Sequence, residues 1–147
     1  MRIEFKSSYL IAFVILAASV ALSFGIARGV LAAVIVTACL YLHEAAHALM
    51  SLRRGVPVKA IGLSARGGYT LRARSDDWLT EAQSAISGPL VNLLFAWMFA
   101  RMPGAYWQWL SNANMVLAVS NLIPFRGSDG WRLWNSLLAP VTRPKRG

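Results

Sequence analysis

From Tyr9 to Ala27 the chain runs without a charged side chain, and from Gly29 to Leu52 it carries only two histidines and one glutamate. At 1.5 Å rise per helical residue, each stretch is long enough to cross a hydrocarbon layer of about 30 Å. Two further apolar segments follow. The pattern predicts an all-α polytopic membrane protein with about four transmembrane helices, over 9–27, 30–52, 83–101 and 112–125. Only Arg28-Gly29 separates the first two, which makes them a tight antiparallel hairpin. A cleaved leader over 1–27 fits less well than a retained span, because its apolar run exceeds the usual ~7–15 residues and no clear small-x-small site follows.

Between the second and third spans the period changes. Tyr69, Leu71 and Ala73 alternate with Thr70, Arg72 and Arg74, which is strand periodicity. With Ala65-Arg66-Gly67-Gly68 as a turn, a small β-hairpin over about 56–74 at the membrane surface is expected. A helix starts near "SDDWLTEAQ", with Asp76 and Asp77 at its positive end and Thr80 to Gln83 at capping-box spacing. Gly88-Pro89 predicts a bend or a fresh start in the third span. The fourth is interrupted at "NLIPFRGSDGW", residues 130–141 read as a surface helix, and "TRPKRG" reads as a basic tail. Trp107 and Trp109 fall in an outer loop, while Trp78, Trp131 and Trp134 lie near the inner boundary, all as interface anchors. The whole of 1–147 is one membrane-embedded domain.

Composition agrees, with 56% hydrophobic residues and a mean hydropathy of +0.48. The net charge of +9 changes the picture through its layout. Arg2, Lys6, Arg53, Arg54, Lys59, Arg66, Arg72, Arg74, Arg126, Arg132, Arg143, Lys145 and Arg146 fall on one side of the four spans. Only Arg28 and Arg101 fall on the other. By the positive-inside rule both termini are cytoplasmic, and the basic surface reads as topology plus contact with lipid headgroups. No aromatic residues interleave the basic clusters as a stacking platform needs, so no nucleic-acid partner is expected. Cys39, the single cysteine, excludes an internal disulfide and a cysteine metal site; it reads as a small packing residue.

The apolar stretch "CLYLHEAAHALMSL" carries the candidate chemistry. On a helix His43 and His47 lie about 40° apart around the axis, so both imidazoles can reach one ion. Glu44 projects beside it. This is the arrangement of an HExxH zinc site, with two ligands and a general base next to an activated water. A packed pair of core histidines explains one buried histidine well, but a matched pair with a glutamate poorly. Catalytic zinc takes three protein ligands and keeps one open position. With no other histidine, the third comes from Glu4, Asp76, Asp77, Glu81 or Asp129. Topology brings Asp76, Asp77, Glu81 and Asp129 to the same side and does not choose among them. Asp129 is favoured because it follows an interrupted span, where non-helical backbone normally lines a polar cavity.

"HEAAH", "SGPLVN" and "NLIPFRGSDG", in this order on successive spans, resemble the site-2 protease family of intramembrane zinc metallopeptidases in minimal form, over roughly 30–137. The resemblance implies one zinc per chain held by His43, His47 and Asp129, with Glu44 as catalytic acid/base. It also implies substrate-positioning roles for Asn92, Gly67, Gly68 and Asn121, the two glycines in a β segment that offers a strand edge to substrate. Arg126 departs from the family, which usually has a second proline there; the spacing from Asn121 to Asp129 is kept. The implied activity is hydrolysis of a peptide bond in a substrate's transmembrane helix near its cytoplasmic end, as part of regulated intramembrane proteolysis. The implied setting is the cell membrane of a prokaryote, with the site toward the cytoplasm. The substrate would be a transmembrane protein already trimmed by another protease. Without an inserted PDZ-type domain, filtering would fall to a regulatory membrane partner or be absent. The rival readings are a catalytically silent binding or chaperone relative, a serine protease around Gly62-Leu63-Ser64-Ala65, and a four-span protein with merely packed histidines.

Overall fold

The computed structural model describes residues 1–65 and 67–142. Arg66 and the tail charges Arg143, Lys145 and Arg146 lie outside the described residues. The chain is mostly helical, with a small three-stranded sheet.

Helices α1 (Ser7–Phe24) and α2 (Ile26–Arg53) form the antiparallel hairpin. Their joint is Gly25, at φ 87°, and not Arg28-Gly29 as expected. The two glycines do different work. Gly25 supplies a backbone conformation that side-chain-bearing residues rarely adopt. Gly29 continues α2 and lets it close on α1, since a Cβ there would run into Ala17 and Ala21. Over 18-residue windows the mean hydropathies are 2.1 and 1.8, so both helices are long and apolar enough to cross a membrane. Large apolar side chains such as Leu10, Ile11, Val14, Ile15 and Leu22 face outward from α1, an exterior that suits lipid.

Helix α3 (Trp78–Ala100) and helix α4 (Ala105–Leu122) complete the bundle. Over such windows they are less apolar than α1 and α2, and they carry buried Ser84, Asn92, Ser111 and Asn114. Of the bend or fresh start expected at Gly88-Pro89, the fresh start is absent: α3 is continuous, with Pro89 inside it. A proline costs one backbone hydrogen bond, and packing of neighbouring helices tolerates that loss. The α3 cap is Asp77, which accepts from the backbone of Leu79 and Thr80 and, at 2.6 Å, from the Thr80 hydroxyl. The capping-box expectation for Thr80 and Gln83 is corrected accordingly. Helix α4 begins earlier than expected, so Trp107 and Trp109 sit in its first turns. There they pack on the core cluster of Val20, Val36, Cys39, Phe99, Tyr106 and Leu110, where an outer loop was expected. Helix α5 (Asp129–Thr142) follows the interruption, close to where the surface helix was read.

The sheet has the order β1-β2-β3. Strands β2 (Val58–Ser64) and β3 (Gly67–Arg72) make the expected hairpin, with Ile61 opposite Thr70. Strand β1 (Arg2–Phe5) was not anticipated. It pairs in parallel with β2, Ile3 opposite Ile61. Tyr69 lies across Gly62, where a Cβ would strike its ring, and its hydroxyl donates to Glu4 on β1 at 2.8 Å. Lys6 stands 5.0 Å from the centre of the same ring. Helix α2 packs against both hairpin strands, which brings the sheet to the helix that carries HEAAH.

Candidate metal centre

His43, Glu44 and His47 are all buried in the second half of α2. Their ligand atoms lie within 4.8 Å of one another. Asp129, the first residue of α5, joins them from the far end of the chain. Its Oδ2 is 3.2 Å from His43 Nε2 and 3.0 Å from His47 Nε2, and the two Nε2 atoms are 3.0 Å apart.

What this triangle can hold follows from the other side of each ring. His47 Nδ1 lies 2.6 Å from the carbonyl of Ser84, and His43 Nδ1 lies 2.6 Å from Asn92 Oδ1. Both partners are acceptors, so both Nδ1 atoms carry the proton and both Nε2 atoms keep a lone pair. Three electron-rich atoms then face one another at contact distance. A proton can bridge one edge of that triangle, whereas a doubly charged cation serves all three corners. Two imidazoles and one carboxylate are a zinc donor set, and ligands at about 2.0–2.1 Å from zinc in tetrahedral array stand about 3.3 Å apart. The residues fit the ion.

The surroundings are shaped to the same end. A Cβ on Gly88 would collide with the Nε2 atoms of both histidines, so α3 reaches the centre only because that residue is glycine. A Cβ on Gly68 would likewise collide with the Glu44 carboxylate. Glu44 Oε2 accepts from the Thr70 hydroxyl at 2.8 Å, which among the described residues leaves Oε1 as the oxygen to take up a proton. A cleft of about 510 Å³ opens beside Glu44 and Asp129 and is lined also by Gly68, Tyr69, Arg72 and Asn121.

Of the substrate-positioning candidates, Gly68 and Asn121 line this cleft, and Gly67 forms the adjacent turn at φ 109°. Asn92 does not line it; its amide is turned onto His43 and, at 3.2 Å, onto Asn114. The other candidate acids are engaged elsewhere or exposed. Asp77 caps α3, Glu4 accepts from Tyr69, and Asp76 is exposed. Glu81 receives a two-pronged contact from Arg72 at 2.8 and 2.6 Å. Burial pushes the Glu81 pKa up, but those bonds outweigh it and hold the carboxyl below the ordinary range. Arg132 bridges the two groups, 3.3 Å from Asp129 Oδ1 and 3.8 Å from Glu81 Oε2. The sequence reading missed Thr70, Ser84, Asn114, Arg132 and the contact role of Gly88. Ser84 and Asn114 had a signal, as polar residues on helices that pack in an apolar bundle; the Ser84 contact runs through a backbone carbonyl, which composition does not reveal.

Comparison with known proteins agrees with this geometry. No family model matches the chain. Over 120 residues it is 32% identical to Rip3 of Mycobacterium tuberculosis, named as a zinc metalloprotease, which covers 72% of this chain and 30% of that protein. Over 124 residues it is 32% identical to sll0528 of Synechocystis, also named as a zinc metalloprotease, covering 78% and 33%. The chain thus spans about a third of the length of these relatives. In three dimensions it superposes on the site-2 protease from Methanocaldococcus jannaschii with a TM-score of 0.68 and 24% identity, over 99% of this chain and 68% of that one. By its fold, its buried HEAAH helix and its kinship with these metalloproteases, the chain belongs to the site-2 protease family.

Proposed function

We propose that the chain is an intramembrane zinc endopeptidase that cuts a transmembrane substrate near its cytoplasmic end. One observation carries this reading: His43, His47 and Asp129 converge on a single point beside Glu44, at the wall of a cleft. In this reading α3 and α4 cross the membrane with α1 and α2, both termini are cytoplasmic, and the cleft faces the cytoplasm. The positive-inside asymmetry supports that orientation. The membrane is the cell membrane of a prokaryote.

His43, His47 and Asp129 would hold the zinc, which would supply a Lewis acid to activate water and polarise the scissile carbonyl. Glu44 removes the proton of the attacking water at Oε1 and returns it to the leaving amine. Thr70 steadies the other carboxylate oxygen, so the base is oriented by the same strand that borders the cleft. A substrate helix must unwind before its peptide bonds are accessible. Strand β3 is an edge of the sheet, and pairing with it would satisfy the unwound backbone. Asn121, Gly67 and Gly68 would position that segment. We expect a substrate previously trimmed by another protease, with selection by a membrane partner.

The intact Glu44, beside an open cleft, weighs against a silent relative. A serine mechanism has little support, since Ser64 Oγ donates to the Gly67 carbonyl within the hairpin and both histidines face Asp129. The test is zinc content of detergent-purified protein, parent against His47→Ala and Asp129→Ala, together with cleavage of transmembrane peptides in vesicles. One zinc per parent chain, lost in both variants, with cleavage abolished by Glu44→Gln, is the expected result. A parent that binds no zinc after reconstitution would overturn the reading.

A further inference from the structure

Behind His43 runs a chain of three hydrogen bonds that ends deep in the helix bundle. Asn92 on α3 and Asn114 on α4 are both 0% exposed. Burying two amides in an apolar bundle is costly unless they are satisfied and serve a purpose. The direction of every bond in the chain follows from its last member. The Leu110 carbonyl can only accept, so Asn114 meets it, at 3.0 Å, with its NH₂ group. Asn114 Oδ1 therefore faces Asn92, and Asn92 must offer its own NH₂ there, at 3.2 Å. Asn92 Oδ1 is then turned to His43 Nδ1 at 2.6 Å, which must carry a proton. His43 Nε2 is left with its lone pair, aimed at Asp129 and His47.

We infer that Asn114 is a positioning residue that sets the tautomer of His43 through Asn92, and so keeps Nε2 ready for a metal ion. The proposal rests on the zinc reading above and goes beyond it by assigning a role to a residue two hydrogen bonds away from the ligand. His47 provides the contrast within the same protein. Its Nδ1 meets the Ser84 backbone carbonyl directly, so no side chain on α4 controls it. Replacing Asn114 by leucine strips Asn92 of its acceptor, and an unpaired buried amide is expensive. Nothing then holds Asn92 Oδ1 toward His43; with its NH₂ turned to His43 Nδ1, the ring proton moves to Nε2, where it donates to Asp129 Oδ2 and blocks ligation.

The experiment is nitrogen-correlated NMR of the full chain in micelles, with ¹⁵N-labelled histidine, metal-free, at a pH where both rings are neutral. The sequence contains two histidines, so every ring signal is assignable. Zinc affinity is measured by competition on the same samples. The parent should have the proton on Nδ1 of both rings. Asn114→Leu should move the His43 proton toward Nε2, leave His47 unchanged, and lower zinc affinity about tenfold, the low end of what loss of such a supporting group costs. Asn114→Asp should keep the parental tautomer, because a carboxyl oxygen still accepts from Asn92. A parent with the His43 proton on Nε2 overturns the proposal without any variant, which covers the case of Asn114→Leu failing to fold. A changed His43 tautomer in Asn114→Asp, or a parental tautomer and affinity in Asn114→Leu, overturns it equally. Each of these outcomes is separate from zinc binding by the parent, which tests the function itself.

Discussion

His43 and His47 are held from behind by buried neutral acceptors, whereas Asp129 is held by a guanidinium at the rim of the cleft. Behind the histidines, α3 contributes two uncharged groups at 2.6 Å, a backbone carbonyl and an amide. Behind the aspartate, Arg132, 32% exposed at its side chain, stands 3.3 Å from Oδ1 and leads on to Glu81 and Arg72. The first arrangement depends on packing and is insensitive to ions in solution. The second is electrostatic and partly wet, so it is weaker and screenable. The difference assigns two tasks. In the proposed function the histidine half would keep the ion in place, and the aspartate half would sit at the cleft where substrate arrives.

The largest effect is expected at Glu44, which borders both halves. Glu44→Gln should reduce cleavage by about 10²–10⁴-fold, the usual worth of a general base, with zinc content unchanged; a variant that still cuts at the parental rate would remove Glu44 from the chemistry. Next comes the histidine half. Gly88→Ala places a methyl group against both Nε2 atoms, and overpacking of this kind costs about 1–3 kcal/mol. Thermal unfolding should shift down and zinc occupancy should fall with it, at any ionic strength. A smaller change is expected on the other side. Arg132→Gln should weaken zinc binding by less than tenfold, and the difference from the parent should shrink as salt is raised. A loss independent of salt would mean that the two halves are alike after all.

The smallest effect concerns pH. The folded-state pKa of Glu81 lies below its ordinary value of 4.5, held there against burial by Arg72. Its contribution to stability is therefore fully present above that ordinary value and is lost as pH falls through the lowered folded one. Unfolding midpoints measured across this acid range should fall in the parent and fall less steeply in Glu81→Gln.

How much was legible in the sequence follows the same divide between local and distant. HEAAH was readable because its geometry lies within one turn of one helix. Asp129 joins from 82 residues beyond His47, so topology left four acids open; the interrupted span before it favoured Asp129, and the resemblance added the assignment as ligand. Strand β1 was missed although Arg2-Ile3-Glu4-Phe5 alternates, since its partner Ala60 to Leu63 follows two long helices. Gly25 and Gly29 look alike in a sequence; one turns the chain and the other admits a neighbouring helix, which only packing distinguishes. Trp107 and Trp109 likewise read as loop anchors until Phe99 was seen stacked 5.9 Å from the Trp107 ring.

The pairing of β1 with β2 also acts as a parity check on membrane insertion. Residues 2–5 and 58–64 belong to one sheet, and between them lie α1 and α2, each long enough to traverse the bilayer. Strands on opposite faces of a membrane cannot pair, so the number of crossings between them must be even. If only one of the two helices inserted, β1 would be stranded on the far side and β2 would lose its parallel partner, while Tyr69 would lose Glu4. A correctly formed sheet therefore means that α1 and α2 enter a membrane together or not at all.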